Sequence, residues 1–552
     1  MITPRHTRLV GVSDLRTFRE TVVGLVDVTS VAAARRCAVL VPSRAAGEQL
    51  RRAFEEAHAE AAALVLPHIV TPCGWLDLLA SEVPDMPPGL GAAEREVLLE
   101  SSARLASAAG FAPPFRLRPG LVSEMIAFYD AIRRHGRGCD DLEHAASEAF
   151  SPYLDTDSGA SRMLAQAQFL VETFRRYEAR VAGSGRSDEH GVRERLLGAV
   201  RFSVDRAVVA VGDATGDLPG LWPADFDLLT RMPGLARIDV VATQAALAAG
   251  LLPRLRRWLP GLEEERHSRS GRPAPALQVP TGSSRLHACY RDREEELAAI
   301  AREIKAFARR TNDVSLSRIG IIFRRPLPYV YLASRLLAEA GLPFEAFDAL
   351  PLAAEPPAAA LDLVLTCAES DFQREAVVAI LASPHFACGA DGRPVSRHDT
   401  AALDRALSES RFLGGGEELL RLAETWLASP GADARASERL RRAAAAVTEV
   451  VHALAPLAAE PRPVGQLDGL LRFLDRFERE PGGPEEVRAR QTRARAAVRI
   501  VLCELRDAHL AWNDDACPLA ETATRIRRWI EQRTFAPRSG EGGVQLLDVD
   551  QA

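Results

Sequence analysis

The run CAVLVP at 37–42 is apolar at every position. An uninterrupted apolar strand belongs in a sheet covered on both faces; such sheets are parallel and need helices between their strands. The flanking sequence supplies them. RLVGV (8–12) reads as a short strand, and SDLRTFRETVVGLV after it as a helix with Ser13 as its N-cap. SRAAGEQLRRAFEEAHAEA is a helix, HIVT (68–71) a strand, and PCGWLDLLASEV the next helix. This β-α-β-α rhythm predicts a parallel sheet under helices.

The rhythm then breaks. Residues 92–200 carry long amphipathic helical patterns such as AAEREVLLESSARLASAA and SGASRMLAQAQFLVETFRRYEARVAG. Strands return with RAVVAVGD (206–213) and ARIDVVAT (236–243), separated by the helix PADFDLLTRM. The first unit is thus discontinuous, over 1–90 and 200–260, with a helical insertion over 91–199. Residues 261–284, rich in Pro, Gly, Ser and charge, read as a linker. A second unit, 285–365, starts with the strand RLHACY, the helix RDREEELAAIAREIKAFARR and the strand IGIIF. It breaks into a second helical insertion, 366–537, and resumes in 538–552 with the strand GGVQLLDVDQA. That strand stops almost as it starts, so the second sheet is expected to be incomplete, with an unpaired edge and the chain continuing in a longer protein.

At 552 residues the chain has room for three or four structural units, and its 47% hydrophobic and 26% charged residues exclude a disordered class. A net charge of −6 excludes a global basic field, so any nucleic-acid surface is a local arginine patch. The eight cysteines form no C-x-x-C pair and no Cys/His cluster of zinc spacing, which fits a reducing cytoplasm. MITPRHTRLVGVSDL lacks the apolar core of a signal peptide, and no stretch approaches the roughly 20 apolar residues that span a bilayer. A cytoplasmic protein without membrane contact is expected.

Two split sheets in this order match one architecture. The whole chain resembles the superfamily-one helicase motor of the UvrD type, in which two RecA-like domains each carry a helical subdomain. VLVPSRAAGEQLRR (39–52) resembles that family's second motif and IVTPCGWLDLL (69–79) the next. AVVAVGDATGDLPGLWPADFDLL (207–229) stands where the acidic motif belongs, and RIGIIFRRPLPY (318–329) resembles the first motif of the second motor domain. GGVQLLDV (542–549) resembles the strand before the late arginine motif. The resemblance implies an α/β fold of two RecA-like, P-loop-type parallel sheets, each interrupted by an all-helical insertion, the second incomplete at the C-terminus. It also implies single-strand contacts in the turns after two strands, at Ser43, Arg44, Thr71 and Trp75. Arg44 would meet a phosphate and Trp75 a base, although packing of its helix onto the sheet is the simpler reading of Trp75. Arg324 and Arg325 follow a buried strand at the sheet edge where ligands gather, open to a DNA phosphate or to acids across a cleft.

The hydrolytic parts are degraded. A phosphate loop needs G-x-x-x-x-G-K-[ST], with backbone N–H groups on the phosphates and a lysine on the β/γ charge. LVGVSDLRTFRE keeps Gly11 and Thr17 without a second glycine or a lysine, and Arg16 is a poor isostere of a compact ammonium. Lys305, the one lysine among 69 Lys and Arg, lies mid-helix and reads as solvated. The acidic strand ends Gly212-Asp213-Ala214-Thr215, where Asp213 has no acidic neighbour and Asp217 is four positions on; both read as turn residues. Gly11, Arg16, Thr17 and Asp213 therefore form a degenerate nucleotide site, with no catalytic residue, metal site or cofactor expected in this chain. Within the family the chain is similar to AddB-type subunits and PD-(D/E)XK nuclease family members, although AddB keeps its phosphate loop. Their nuclease domain would follow the late arginine motif, and no lysine after 305 is available for its active site; magnesium is expected only for that absent domain.

The function implied is an ATPase-inactive, helicase-like DNA-binding or scaffold module of a bacterial helicase–nuclease in double-strand-break repair and recombination. Its expected partners are single-stranded or end-containing DNA and a motor helicase–nuclease subunit. The alternatives are an α/β nucleotide- or sugar-binding transferase, for which GVSDLRT is a poor Gly-rich turn, and an assembly subunit without DNA contact. Three further clusters have simple structural readings. Arg133, Arg134 and Arg137, with His135, end a helix and suit its dipole. Arg488, Arg490, Arg493 and Arg495 read as a solvated face, and Asp188-Glu189-His190 as the first turn of a helix capped by Ser187 rather than a metal or acid–base trio.

Overall fold

The computed structural model describes residues 5–61, 63–199, 202–216, 220–267, 288–311, 315–325, 327–346, 350–389, 394–428, 434–535 and 542–548. The chain opens with β1 (His6–Val12), α1 (Leu15–Leu25), α2 (Val31–Arg35), β2 (Cys37–Leu40), α3 (Arg44–Ala57), β3 (His68–Val70) and α4 (Pro72–Ala80). A helical block follows: α5 (Ala92–Ala108), α6 (Pro119–Arg134), α7 (Cys139–Phe150), α8 (Ser158–Gly183) and α9 (Glu189–Leu197). Then come β4 (Arg206–Val209), α10 (Pro223–Arg231), β5 (Arg237–Thr243), the short α11 (Gln244–Ala246), α12 (Leu252–Trp258) and β6 (Glu263–His267). The six strands form one parallel sheet in the order β3-β2-β4-β5-β1-β6.

Alternation along these strands explains the apolar runs. Leu9, Ala38, Leu40, Ala207, Val209, Ile238 and Val240 point to one core, shared with Trp75, Phe226 and Leu255 from α4, α10 and α12. Val10, Val12, Val39, Val208 and Val241 point to the other, against Val22 of α1 and Phe54 of α3. A sheet covered on both faces needs no polar residues in its central strands.

The second part adds α13 (Arg293–Arg310), β7 (Gly320–Phe323), α14 (Tyr329–Glu339), β8 (Phe344–Ala346) and β9 (Leu350–Pro351). A larger helical block runs through α15 (Pro356–Glu369), α16 (Arg374–Ala382), α17 (Arg397–Glu409), α18 (Gly416–Ala428), α19 (Ala434–Ala459), α20 (Pro463–Phe477), α21 (Glu485–Trp512) and α22 (Leu519–Gln532). Two strands close the chain, β10 (Thr534–Phe535) and β11 (Val544–Asp548). β11 lies between β7 and β8 in a three-stranded parallel sheet, so the last strand is central rather than the bare edge expected. Gly543, at φ +129°, permits this entry, because a Cβ there would stand 2.1 Å from the Pro343 carbonyl oxygen.

Backbone pairing clamps both helical blocks at their necks. Leu90 N–H donates to the Ser187 carbonyl at 2.9 Å and Ser187 N–H to that of Pro88 at 3.1 Å. β9 and β10 pair antiparallel across the second block. The blocks are not separate, however. Ala93 and Val97 of α5 belong to the same core as α21 and α22. Polar contacts cross the same seam, with Trp512 Nε1 donating to Glu94 at 3.1 Å and Arg525 to Glu100 at 2.6 Å.

Several sequence expectations change. The N-cap of α1 is Asp14, not Ser13, and that of α9 is Asp188, not Ser187, because the aspartate side chain reaches the free N–H groups of each first turn. The stretch expected to be linker begins with β6, which pairs in parallel with β1; its side chains are exposed, and Glu265 reaches Arg8 at 2.9 Å and Glu263 reaches His6 at 3.0 Å across the pair. Residues 268–287, the rest of that stretch and half of RLHACY, lie outside the described residues, and 288–290 are not strand. Lys305 is not merely solvated: its ammonium donates to the Ala340 carbonyl at 2.6 Å, at the C-terminal end of α14. Of the α21 arginines, Arg490 faces buried Glu355 at 3.3 Å and Arg495 pairs with Glu478 at 2.6 Å, so that face is not simply solvated. No helix among the described residues is long and apolar enough to cross a membrane.

At the seam between the helical blocks, buried His509 accepts at Nε2 from Arg525 Nη1 at 3.0 Å, which leaves Nδ1–H to donate to the Asn513 carbonyl at 2.8 Å. Burial, reinforced by the Arg525 charge, lowers its pKa below the ordinary 6.5. The unfolded chain therefore takes up this proton first, and the stability contributed by neutral His509 is present above pH 6.5 and lost as pH falls below it. Urea unfolding at pH 7.5 and 5.5 is expected to show this loss, and His509→Gln to reduce it. Burial lowers the His385 pKa too, so some acid sensitivity persists in the variant. An unchanged acid sensitivity in His509→Gln would count against the assignment.

Candidate functional site

The helix after β2 leads to one edge of the six-stranded sheet and the helix after β4 leads the other way, so these neighbouring strands form a topological switch point. Ligands of open α/β sheets bind outside the carboxyl ends of strands at such points. The chain places Val41–Arg44 there after β2 and Ala210–Asp213 after β4.

Ser43 and Thr71 are the N-caps of α3 and α4. Ser43 Oγ accepts from Ala46 N–H at 3.2 Å and Thr71 Oγ1 from Gly74 N–H at 3.3 Å. Their side chains thus have local structural work, which a strand-to-helix turn of this kind requires. Arg44, the first residue of α3, is exposed and has no hydrogen-bond or ion-pair partner among the described residues. Trp75 is 1% exposed, packed into the core between α4 and the sheet. A ring buried to that extent offers no face to a base, so the packing explanation describes its position. Its Nε1–H is buried without an acceptor among the described residues. On the smaller sheet, Arg324 and Arg325 follow β7, exposed and without an acidic partner among the described residues. The two sheets meet through α3: Gln49 Nε2 donates to Gln545 Oε1 at 3.3 Å, and Arg52 pairs with Glu345.

The residues expected to form a degenerate nucleotide site have a definite geometry. β1 runs straight through buried Gly11 to Val12, and only Ser13 and Asp14 separate it from α1. Asp14 Oδ1 accepts from Thr17 N–H at 2.8 Å and Oδ2 from Thr17 Oγ1 at 3.0 Å. The hydrogen bond from Thr17 N–H, with a further one from Ser13, lowers the Asp14 pKa to about 2. A carboxylate thus sits on the helix N-terminus, the position that favours a bound phosphate. Arg16 points away, paired with Glu20 at 3.2 Å in the i,i+4 register.

Asp213 is 2% exposed and paired with Arg254 of α12, while its Oδ1 accepts from Gly216 N–H at 3.0 Å. The following residues fold back over it, with Ala214 N–H on the Leu221 carbonyl at 2.9 Å and Leu221 N–H on that of Gly212 at 3.0 Å. Gly220 makes this possible: a Cβ there would stand 2.4 Å from the Asp213 carbonyl carbon. Asp213 is therefore a turn residue and more, since its carboxylate is fully engaged. Asp217 lies outside the described residues.

Glu189 and His190 join Asp130 of α6, their ligand atoms within 4.8 Å of one another. Guanidinium groups already hold the carboxylates. Arg95 is bidentate on Asp130 at 2.6 and 3.0 Å, and Arg134 is bidentate on Glu189 at 2.7 and 3.0 Å. Burial raises the Asp130 pKa, but hydrogen bonds from His190 and Arg95 outweigh it and leave that pKa lowered. Arg193 extends the network to Asp225 of α10 at 2.8 Å, tying the first helical block to the sheet. Donors arranged for arginine forks leave a cation no free oxygen pair, so this network is structural. Its partners were invisible in sequence because Asp130 and His190 are 60 positions apart.

A scan against protein-family models matches none, and a search of curated proteins finds no match to the chain.

Proposed function

We propose that the chain is a helicase-shaped module that grips DNA without hydrolysing ATP, as part of a bacterial helicase–nuclease acting on broken ends with a motor subunit beside it. In this reading the two parallel sheets are RecA-like and have outlived their phosphate chemistry. One observation carries it: both seats of that chemistry are filled by the protein's own groups. Asp14 occupies the α1 N-terminus, and Arg254 neutralises Asp213. Phosphoryl transfer relies on positioned positive charge, and a carboxylate in the phosphate seat opposes it. The DNA half of the proposal is supported by Arg44, Arg324 and Arg325, exposed and unpaired among the described residues after parallel strands.

The test is single-strand binding across a salt series. The wild-type chain is expected to bind a labelled oligonucleotide with an affinity that falls as salt rises. The triple variant Arg44→Glu, Arg324→Glu, Arg325→Glu is expected to bind at least about tenfold more weakly and to lose about two units of the log–log salt slope, from about 0.7 per phosphate contact. Salt-independent or absent binding would favour the assembly-subunit reading. Sustained magnesium-dependent nucleotide cleavage by the purified chain would sink the proposal altogether.

A further inference from the structure

Away from the sheet edges, a cavity of ≈260 Å³ opens between the end of α6, the turn into α7, and the outer faces of α9 and α10. Arg133, Arg137, Arg193 and Arg231 line it, against the two carboxylates Glu194 and Asp227. Four arginines against two carboxylates favour an anion at the lining itself, while Asp141, Glu178, Glu189 and Asp225 stand behind the guanidinium groups. Arg193 is 8% exposed and fixed by Asp225; its buried Nη1 makes an ion pair with Glu189 Oε1 at 3.4 Å but no hydrogen bond among the described residues. Arg133 also holds partly buried Glu178 at 3.6 Å; the outward partners of the other three arginines are Glu194 for Arg133 at 2.8 Å, Asp141 for Arg137 at 3.4 Å, and Asp227 for Arg231. Those acids are 69%, 49% and 48% exposed, and surface pairs of this kind are worth little. A better acceptor displaces them readily into water.

We infer that this cavity is a phosphomonoester site, separate from the sheet edges of the proposed DNA grip. Guanidinium forks match the oxygen geometry of phosphate, and a terminal phosphate carries more charge than the diester of a strand interior. The cavity rests on a rigid floor, because Arg193 is held by Asp225, and its rim is adjustable at Arg137 and Arg231, which hold exposed acids.

Inorganic phosphate titrated calorimetrically into the intact chain at low ionic strength tests the site. The wild type is expected to bind, and Arg137→Glu with Arg231→Glu to weaken binding about tenfold or more, with unchanged circular dichroism. The Arg44, Arg324, Arg325 triple variant is expected to bind phosphate as the wild type does, so this result stands or falls separately from the DNA reading. A 5′-phosphorylated oligonucleotide preferred over its 5′-hydroxyl counterpart, with the preference lost in Arg137→Glu/Arg231→Glu, identifies a strand end as the ligand. Phosphate binding without that preference identifies a small phosphoester. No phosphate binding by the wild type, or equal binding by the double variant, overturns the inference.

Discussion

Replacing Asp239 by alanine is expected to cost about 3–5 kcal/mol of stability, the range for breaking a buried ion pair from one side. Asp239 lies in the middle of β5 and is fully buried. Three arginines converge on it: Arg8 of β1 at 3.0 Å, Arg206 of β4 at 2.7 Å and Arg237 of its own strand at 3.0 Å. One carboxylate thus joins three adjacent strands. Its removal leaves guanidinium groups facing each other on one sheet face, where Arg8 and Arg206 are no more than a quarter exposed. Asp239→Asn keeps the shape and an acceptor oxygen, and is expected to fall between wild type and alanine. Equilibrium urea unfolding, followed by far-UV circular dichroism, measures both. A loss below about 1 kcal/mol for the alanine variant would mean that solvent screens the cluster and that the strands do not depend on it.

Trp75→Ala is expected to be of similar size, about 3–5 kcal/mol, through the cavity left under α4. Trp75→Phe is expected to cost much less. It keeps most of the apolar contact and removes an indole N–H that has no acceptor among the described residues. The pair of variants also separates packing from DNA contact. If Trp75 serves the core, Trp75→Phe leaves oligonucleotide affinity where it was. If that variant stays folded and binds DNA several-fold more weakly, the indole is reaching a base and the packed position is not the functional one.

The turns before α1, α3 and α4 show what a sequence can and cannot report. Ser43 and Thr71 were legible as strand-to-helix turns because a cap is a local matter: a hydroxyl, an adjacent helix, and an N–H three residues on. The same rule chose Ser13 wrongly, since Ser13 and Asp14 are both good caps and composition does not say which side chain reaches Thr17. EEERH has no apolar face and reads as linker; it is a charged edge strand, and charge on an edge blocks further pairing. The α21 arginines look solvated in sequence because their acidic partners lie in other parts of the chain.

The sequence by itself determined that apolar strands lie under helices, that helical blocks interrupt the strand pattern twice, and that neither a lysine nor a second glycine follows Gly11 in the first strand-to-helix turn. Those are local properties: periodicity, capping and the presence or absence of a side chain. Only the tertiary structure decided that Asp14 fills the helix terminus, that Arg254 claims Asp213 from 41 residues away, and that Arg525 bridges the two helical blocks to Glu100 across 425. Such pairings follow from which surfaces pack together, and no spacing along the chain encodes them.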